Sequence, residues 1–185
     1  MTDLAPDQTA TQTAADIELI PLGQVDPLAI AVVAANLQAL LGLNTRIRSV
    51  RPDPEYAYIP TRQQFNAIKI IKQLSQETRE VYFQIGVTNL DICTPILTFV
   101  FGESQLGGNT ALVSLNRLRG SGKDLAYERV AKISVHEVGH ILGLEHCWEV
   151  RCLMHFSRDV AQLDSLPLSF CETCQYESGR RLGQR

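Results

Sequence analysis

Three of the chain's four histidines, two glutamates and one cysteine crowd into the stretch HEVGHILGLEHC, residues 136 to 147. On a helix, His136 and His140 project from one face, because side chains four apart stack along the same side. Two imidazoles placed this way can bind one metal ion. Glu137 sits one position round, able to hydrogen-bond a water on that ion without ligating it. Gly143 can take the left-handed conformation that ends a helix and reverses the chain, and His146 can then swing back as a third ligand. Three neutral nitrogens with an open fourth position are usual for catalytic zinc, which acidifies its water and polarises a carbonyl. The bland alternative is histidines satisfied by hydrogen bonds in a core. HExxH alone arises by chance; Gly143 and His146 at these spacings make the pattern specific.

The longer pattern HExxHxxGxxH is similar to the metzincin signature. Metzincins also carry a methionine in a tight turn beneath the metal, and the only methionine besides Met1 is Met154. Downstream, Cys147-x4-Cys152 is followed by Cys171-x2-Cys174. Four thiolates can close a tetrahedral structural zinc site. Two disulfides or a redox-active CxxC are the alternatives, the first disfavoured by an odd count of five cysteines and no visible export signal. Cys93, away from the cluster, reads as a small buried hydrophobe.

Taken together, HEVGHILGLEHC, then WEVR, CLM and CETC resemble the archaemetzincin family over residues 136 to 174. The resemblance implies a zinc-dependent peptidase of the cell interior, cytoplasmic, with a compact α/β fold: a twisted mixed sheet of about five strands, an active-site helix, and a zinc-stapled C-terminal subdomain. It implies His136, His140 and His146 on catalytic zinc, Glu137 as general base, Met154 in the Met-turn, and Cys147, Cys152, Cys171 and Cys174 on a second, structural zinc. Some metzincins place a tyrosine two residues after the methionine; here that position is Phe156, which has no oxygen to offer. His155 reads as a loop histidine bonded to backbone or solvent.

These groups must be positioned by an ordered scaffold. "IELIPLG" reads as a strand, followed by a helix capped by Asp26, opened by Pro27 and closed at Gly42. "TRIRSVRP" reads as a second strand. "TRQQFNAIKIIKQLSQ" opens with Thr61 and Gln64 at capping-box spacing, with Phe65, Ile68, Ile71 and Leu74 as its apolar face. "VYFQIGVT", "LTFVFGE" and "ALVSLNRL" are further strand candidates. A helix over about 124–142 carries the first two histidines, and the chain after Gly143 reads as loop-rich. The boundaries are a disordered tail over 1–15, a subdomain over 16–143 and a C-terminal subdomain over 144–185.

The 185 residues, 45% apolar, suit one domain with a real core, and a net charge of −3 offers no footprint for nucleic acid or an anionic membrane. The most apolar segment, DPLAIAVVAANLQALLG, is too short to span a bilayer and is interrupted by Asn36 and Gln38. The expected partner is a peptide or protein substrate, met by a monomer. Glu137 would take a proton from zinc-bound water, and substrate backbone would add to a sheet edge. The segment LTFVFGESQ is the candidate edge, with Gly102 admitting a close backbone; an interior strand bulged at Gly102 is the alternative. The rival functional reading is a zinc-stabilised peptide-binding protein with little or no turnover.

Overall fold

The run IELIPL is buried at all six positions. A strand apolar on both faces belongs inside a sheet that helices cover on both sides. That is its place in the computed structural model, which describes residues 16–77, 81–120 and 122–184. The tail expected over 1–15 lies outside the described residues. Along the chain run β1 (Ile17–Leu22), α1 (Pro27–Leu41), β2 (Thr45–Ile47), β3 (Tyr58–Ile59), β4 (Gln64–Asn66), α2 (Ala67–Ser75), β5 (Phe83–Thr88), β6 (Ile92–Cys93), β7 (Gly102–Ser104), β8 (Thr110–Ser114), α3 (Lys123–Ile141), α4 (Val160–Ser165) and α5 (Glu172–Leu182).

The expected five-stranded mixed sheet is present, in the order β2-β1-β5-β8-β7. Four strands are parallel; β7 closes one edge antiparallel to β8. Helices α1 and α3 cover one face, where Ile17, Leu19, Val33, Leu37, Val113 and Val138 share the main core. Helix α2 covers the other face, with Ile20, Leu22, Ile70, Leu74 and Leu112 in a second core. The caps of α1 are those expected. The Asp26 carboxylate accepts the Leu28 N–H at 3.0 Å, and Gly42 turns left-handed at φ 68°. Two buried cations dock α3 against α4. Arg129 forks onto Asp164 at 2.7 and 2.6 Å, and the Lys132 ammonium reaches the Leu163 carbonyl at 3.2 Å and Glu128 at 2.7 Å. The bidentate geometry fixes direction as well as distance.

Several elements differ from the sequence expectation. The Thr61–Gln64 capping box does not form. Gln63 is left-handed at φ 53°, which stops a helix there, and Phe65 joins a small second sheet, β3-β4-β6. Helix α2 instead starts after Asn66, whose side chain accepts the Lys69 N–H at 3.0 Å. The strand expected over 97–103 shrinks to β7. The Arg62 guanidinium takes the carbonyls of Thr94, Leu97 and Thr98 at 3.0, 2.8 and 2.8 Å, so that loop is organised by a side chain and not by a ladder. After Gly143 the chain is less irregular than expected, since α4 and α5 are regular helices. Cys93 is buried on β6, as a small hydrophobe would be.

Candidate active site

Helix α3 places His136 and His140 one turn apart, with their Nε2 atoms 3.1 Å from each other. Their Nδ1 atoms face backbone carbonyls: Leu153 O at 2.8 Å for His136 and Leu144 O at 2.7 Å for His140. A carbonyl only accepts, so both Nδ1 atoms carry the proton and both neutral rings present bare Nε2 lone pairs to one another. Protonating one ring would relieve that opposition. Burial and the neighbouring His140 push His136 down to about 3, so neutral pH does not supply the proton. Burial also lowers His140 and His146. The arrangement asks for a cation between the rings.

His146 completes the set. Gly143 is left-handed at φ 86°, and the chain turns back there. The ligand nitrogens of His136, His140 and His146 all lie within 4.8 Å of one another. A tetrahedral zinc with bonds of ~2.0–2.1 Å needs its nitrogens about 3.3 Å apart, so the His136–His140 pair at 3.1 Å fits zinc by type, tautomer and spacing, with His146 near as a third donor of the same type. The carbonyls of Leu153 and Leu144 are partners of the kind that would orient these rings toward a metal.

Glu137 is buried between α3 and β7. A Cβ on Gly102 would lie 2.7 Å from its Cγ and Oε1, so the close approach that Gly102 permits is that of the glutamate. The Ser104 hydroxyl donates to Glu137 Oε2 at 2.6 Å. Burial, with Glu103 nearby, pushes Glu137 up to about 8, against the pull of the Ser104 bond. A nearby divalent cation acts the other way, favouring the carboxylate. Ser104 was not anticipated. Its only signal in the sequence is its place two residues beyond Gly102, on the same face of a strand.

Met154 is fully buried in a tight turn, closed by the His155 N–H donating to Cys152 O at 2.9 Å. The Cys147 N–H donates to Met154 O at 2.9 Å. The methionine packs against Gly139 of α3, where any Cβ would clash with its sulfur and sit 3.0 Å from its Cε. The same turn supplies the carbonyl that orients His136. His155 donates from Nδ1 to the Cys147 carbonyl at 2.9 Å. The Phe156 ring stacks edge-on against His146, 5.0 Å between centroids.

The four cysteines of the C-terminal region come together as free thiols, their sulfurs within 4.8 Å of one another. Cys147 Sγ and Cys171 Sγ are 3.8 Å apart. That is far beyond a disulfide bond and close to the ~3.8 Å edge of a tetrahedron with ~2.3 Å zinc–sulfur bonds. Backbone N–H groups of Glu149 and Cys171 donate to the sulfurs of Cys147 and Cys152 at 3.4 and 3.3 Å.

A family model for peptidase family M54 matches residues 39–180. The archaemetzincin of Archaeoglobus fulgidus is 42% identical over 117 residues, covering 63% of this chain and 70% of that protein. The archaemetzincin of Pyrococcus furiosus is 30% identical over 181 residues, covering 91% and 94%. This chain belongs to the archaemetzincin family. It is a zinc metallopeptidase, as members of peptidase family M54 are. Among solved archaemetzincins, the Methanopyrus kandleri structure superposes with a TM-score of 0.83 at 29% identity, covering 97% of this chain and 99% of that one. The Archaeoglobus fulgidus structure, complexed with malonate, gives 0.79 at 33% identity, covering 87% and 99%. The archaemetzincin site opens into a cleft of about 1020 Å³ bounded by residues 97–106 on the sheet-edge side and 145–158 on the other. No helix among the described residues is long and apolar enough to cross a membrane.

Proposed function

We propose that the chain hydrolyses peptide bonds with Glu137 as general base, at a catalytic zinc held by His136, His140 and His146. A second zinc, held by Cys147, Cys152, Cys171 and Cys174, is structural. The observation that carries the reading is the pair of bare Nε2 atoms facing each other at 3.1 Å, locked in that tautomer by two carbonyls. Zinc at such a site supplies Lewis-acid polarisation of a carbonyl and a more acidic water.

The chain's own groups do the rest. Phe101 O accepts the Ser114 N–H at 2.8 Å, and the Gln105 N–H reaches Thr110 O at 3.4 Å. Antiparallel pairing alternates, so Gly102 and Ser104 direct their N–H and C=O groups to the open edge of β7. An extended substrate backbone pairs there as an added strand. Glu137, fixed by Ser104 and by the gap at Gly102, takes a proton from the attacking water and delivers it to the departing amine. Met154 packs beneath the histidines. The chain divides at Gly143 into subdomains over 16–143 and 144–185 and acts as a cytoplasmic monomer, in a reducing milieu that keeps four thiols unpaired.

The test is Glu137→Gln together with elemental analysis of the parent. Hydrolysis should vanish in the variant while zinc stays bound, and the parent should hold two zinc ions. A variant that keeps most of its activity, or a parent holding less than one zinc after soaking, overturns the assignment.

A further inference from the structure

Trp148 is the chain's single tryptophan and is 95% exposed. Among the described residues, the only other large apolar side chain above 90% exposure is Ile96, at 92%. Trp148 belongs to the lip of the catalytic cleft, and Ile96 lies next in sequence to a residue of that lip, Leu97. Trp148 lines the cleft directly, with Leu97, Leu106 and Phe156. Leu97, Leu106 and Phe156 are themselves about half exposed, at 45%, 58% and 49%. Apolar side chains gathered at one place and left wet mark a recognition surface, and tryptophan is the residue that most often dominates one.

The lip is built and not merely loose. Trp148 stands in the loop between Cys147 and Cys152, both members of the sulfur cluster. Within that loop the Glu149 N–H donates to Cys147 Sγ at 3.4 Å, Arg151 N–H to Glu149 Oε1 at 3.1 Å, and Cys152 N–H to Glu149 O at 3.2 Å. On the sheet-edge side, the Arg62 guanidinium grips the carbonyls of Leu97 and Thr98 from behind, each at 2.8 Å. The backbone that carries Trp148 and Leu97 is thus held in position before anything binds, which reduces the ordering cost of binding. The open edge of β7 offers main-chain groups at only two residues, Gly102 and Ser104. So short an edge registers a strand but leaves selection to side-chain burial.

We propose that Trp148 and Phe156, on adjoining segments tied by His155 to the Cys147 carbonyl, form a subsite for a large aliphatic or aromatic side chain flanking the scissile bond, in the cleft that Leu97 and Leu106 line from the sheet-edge side. The substrates are then extended, apolar polypeptide segments of the kind that folded proteins keep inside. The sulfur cluster acquires a second task under this assignment, the presentation of Trp148. The proposal rests on the peptidase assignment above and names the substrate class of that site.

A single tryptophan makes the test direct. Full-length, zinc-loaded Glu137→Gln protein is titrated with two peptides that differ only at the flanking residues, leucine and phenylalanine in one, serine in the other. The apolar peptide should move the tryptophan emission to shorter wavelength and saturate; the serine peptide should not at the same concentrations. In the active parent background, Trp148→Ser should raise KM for the apolar peptide about tenfold, the loss of a 1.4 kcal/mol contact, with the change concentrated in KM and not kcat. Trp148→Phe should recover most of it, and zinc content should match the parent in both. No emission shift with the apolar peptide, equal shifts with both, or an unchanged KM in Trp148→Ser overturns the subsite while leaving the peptidase assignment standing. A zinc-loaded parent that cleaves neither peptide strikes at the peptidase assignment, and the emission titration still decides the subsite.

Discussion

Gly102→Ala adds one methyl group at a position whose φ already suits any residue, since Gly102 is absent from the positive-φ glycines. Any effect therefore comes from crowding. The new Cβ would lie 2.7 Å from both Cγ and Oε1 of Glu137, and 2.9 Å from its Cδ. Contacts that short are not tolerated, so either the glutamate or β7 must give way. Glu137 is buried and cannot swing to solvent. A shift that clears the contact stretches the 2.6 Å bond from Ser104. Overpacking of this kind costs about 1–3 kcal/mol, or roughly 2–12 °C in melting temperature for a protein of this size. Displacing a catalytic group by about 1 Å costs about a hundredfold in rate. The expected result is a kcat lowered about a hundredfold with zinc content unchanged, because no histidine moves. Gly179→Ala is the control: nothing lies within 4 Å of its added Cβ, and it sits inside α5, so it should gain up to about 1 kcal/mol. A Gly102→Ala protein with kcat within twofold of the parent would refute the placement of Glu137 against β7.

Cys171→Ser or Cys174→Ser should weaken catalytic zinc, although both residues are remote from the histidines in sequence. His146 and Cys147 are neighbours, and Arg181 of α5 donates to Leu142 O at 2.9 Å, at the turn that directs His146. His136→Ala should leave the sulfur site filled; metal analysis and melting of both variants check this, and unchanged zinc affinity in the cysteine variants refutes the coupling. Met154→Leu conserves volume and should cost under about 1.5 kcal/mol, read by denaturant melts; loss of zinc as complete as in His140→Ala would show that the methionine does more than pack. The Arg129 fork holds the Asp164 carboxyl below its usual range. A lowered folded pKa stabilises above the unfolded value of about 4, and that contribution is lost as pH falls through the folded value. Asp164→Asn should therefore be less stable than the parent at pH 7, with the gap closing below about pH 4; a gap constant with pH would exclude the ion pair as its source.

The spacing of residues 136 to 146 was enough to bring three histidines together, because helix periodicity and one left-handed glycine are local geometry. The caps of α1 and the central strands β1 and β5 were legible for the same reason, each resting on neighbours in the chain. The boundaries of α2 were not. Phe65 reads as part of a helical face, and only its pairing with Tyr58 and Ile92 makes it strand. Nor was the loop over 94–101, shaped by an arginine more than thirty residues earlier. Helix α5 lacks an apolar stripe, with only Cys174 and Ser178 buried, so periodicity could not reveal it; the sulfur cluster and Arg181 hold it. Gly139 shows the division most clearly. Its place inside the histidine motif carries no signal of its own, and only the burial of Met154 against it gives it a purpose. Residue types and spacing determined which histidines and cysteines come together. The tertiary structure decided what surrounds them, that Ser104 and the gap at Gly102 aim Glu137, because those partners lie more than thirty residues apart along the chain and are joined only when β7 packs on α3.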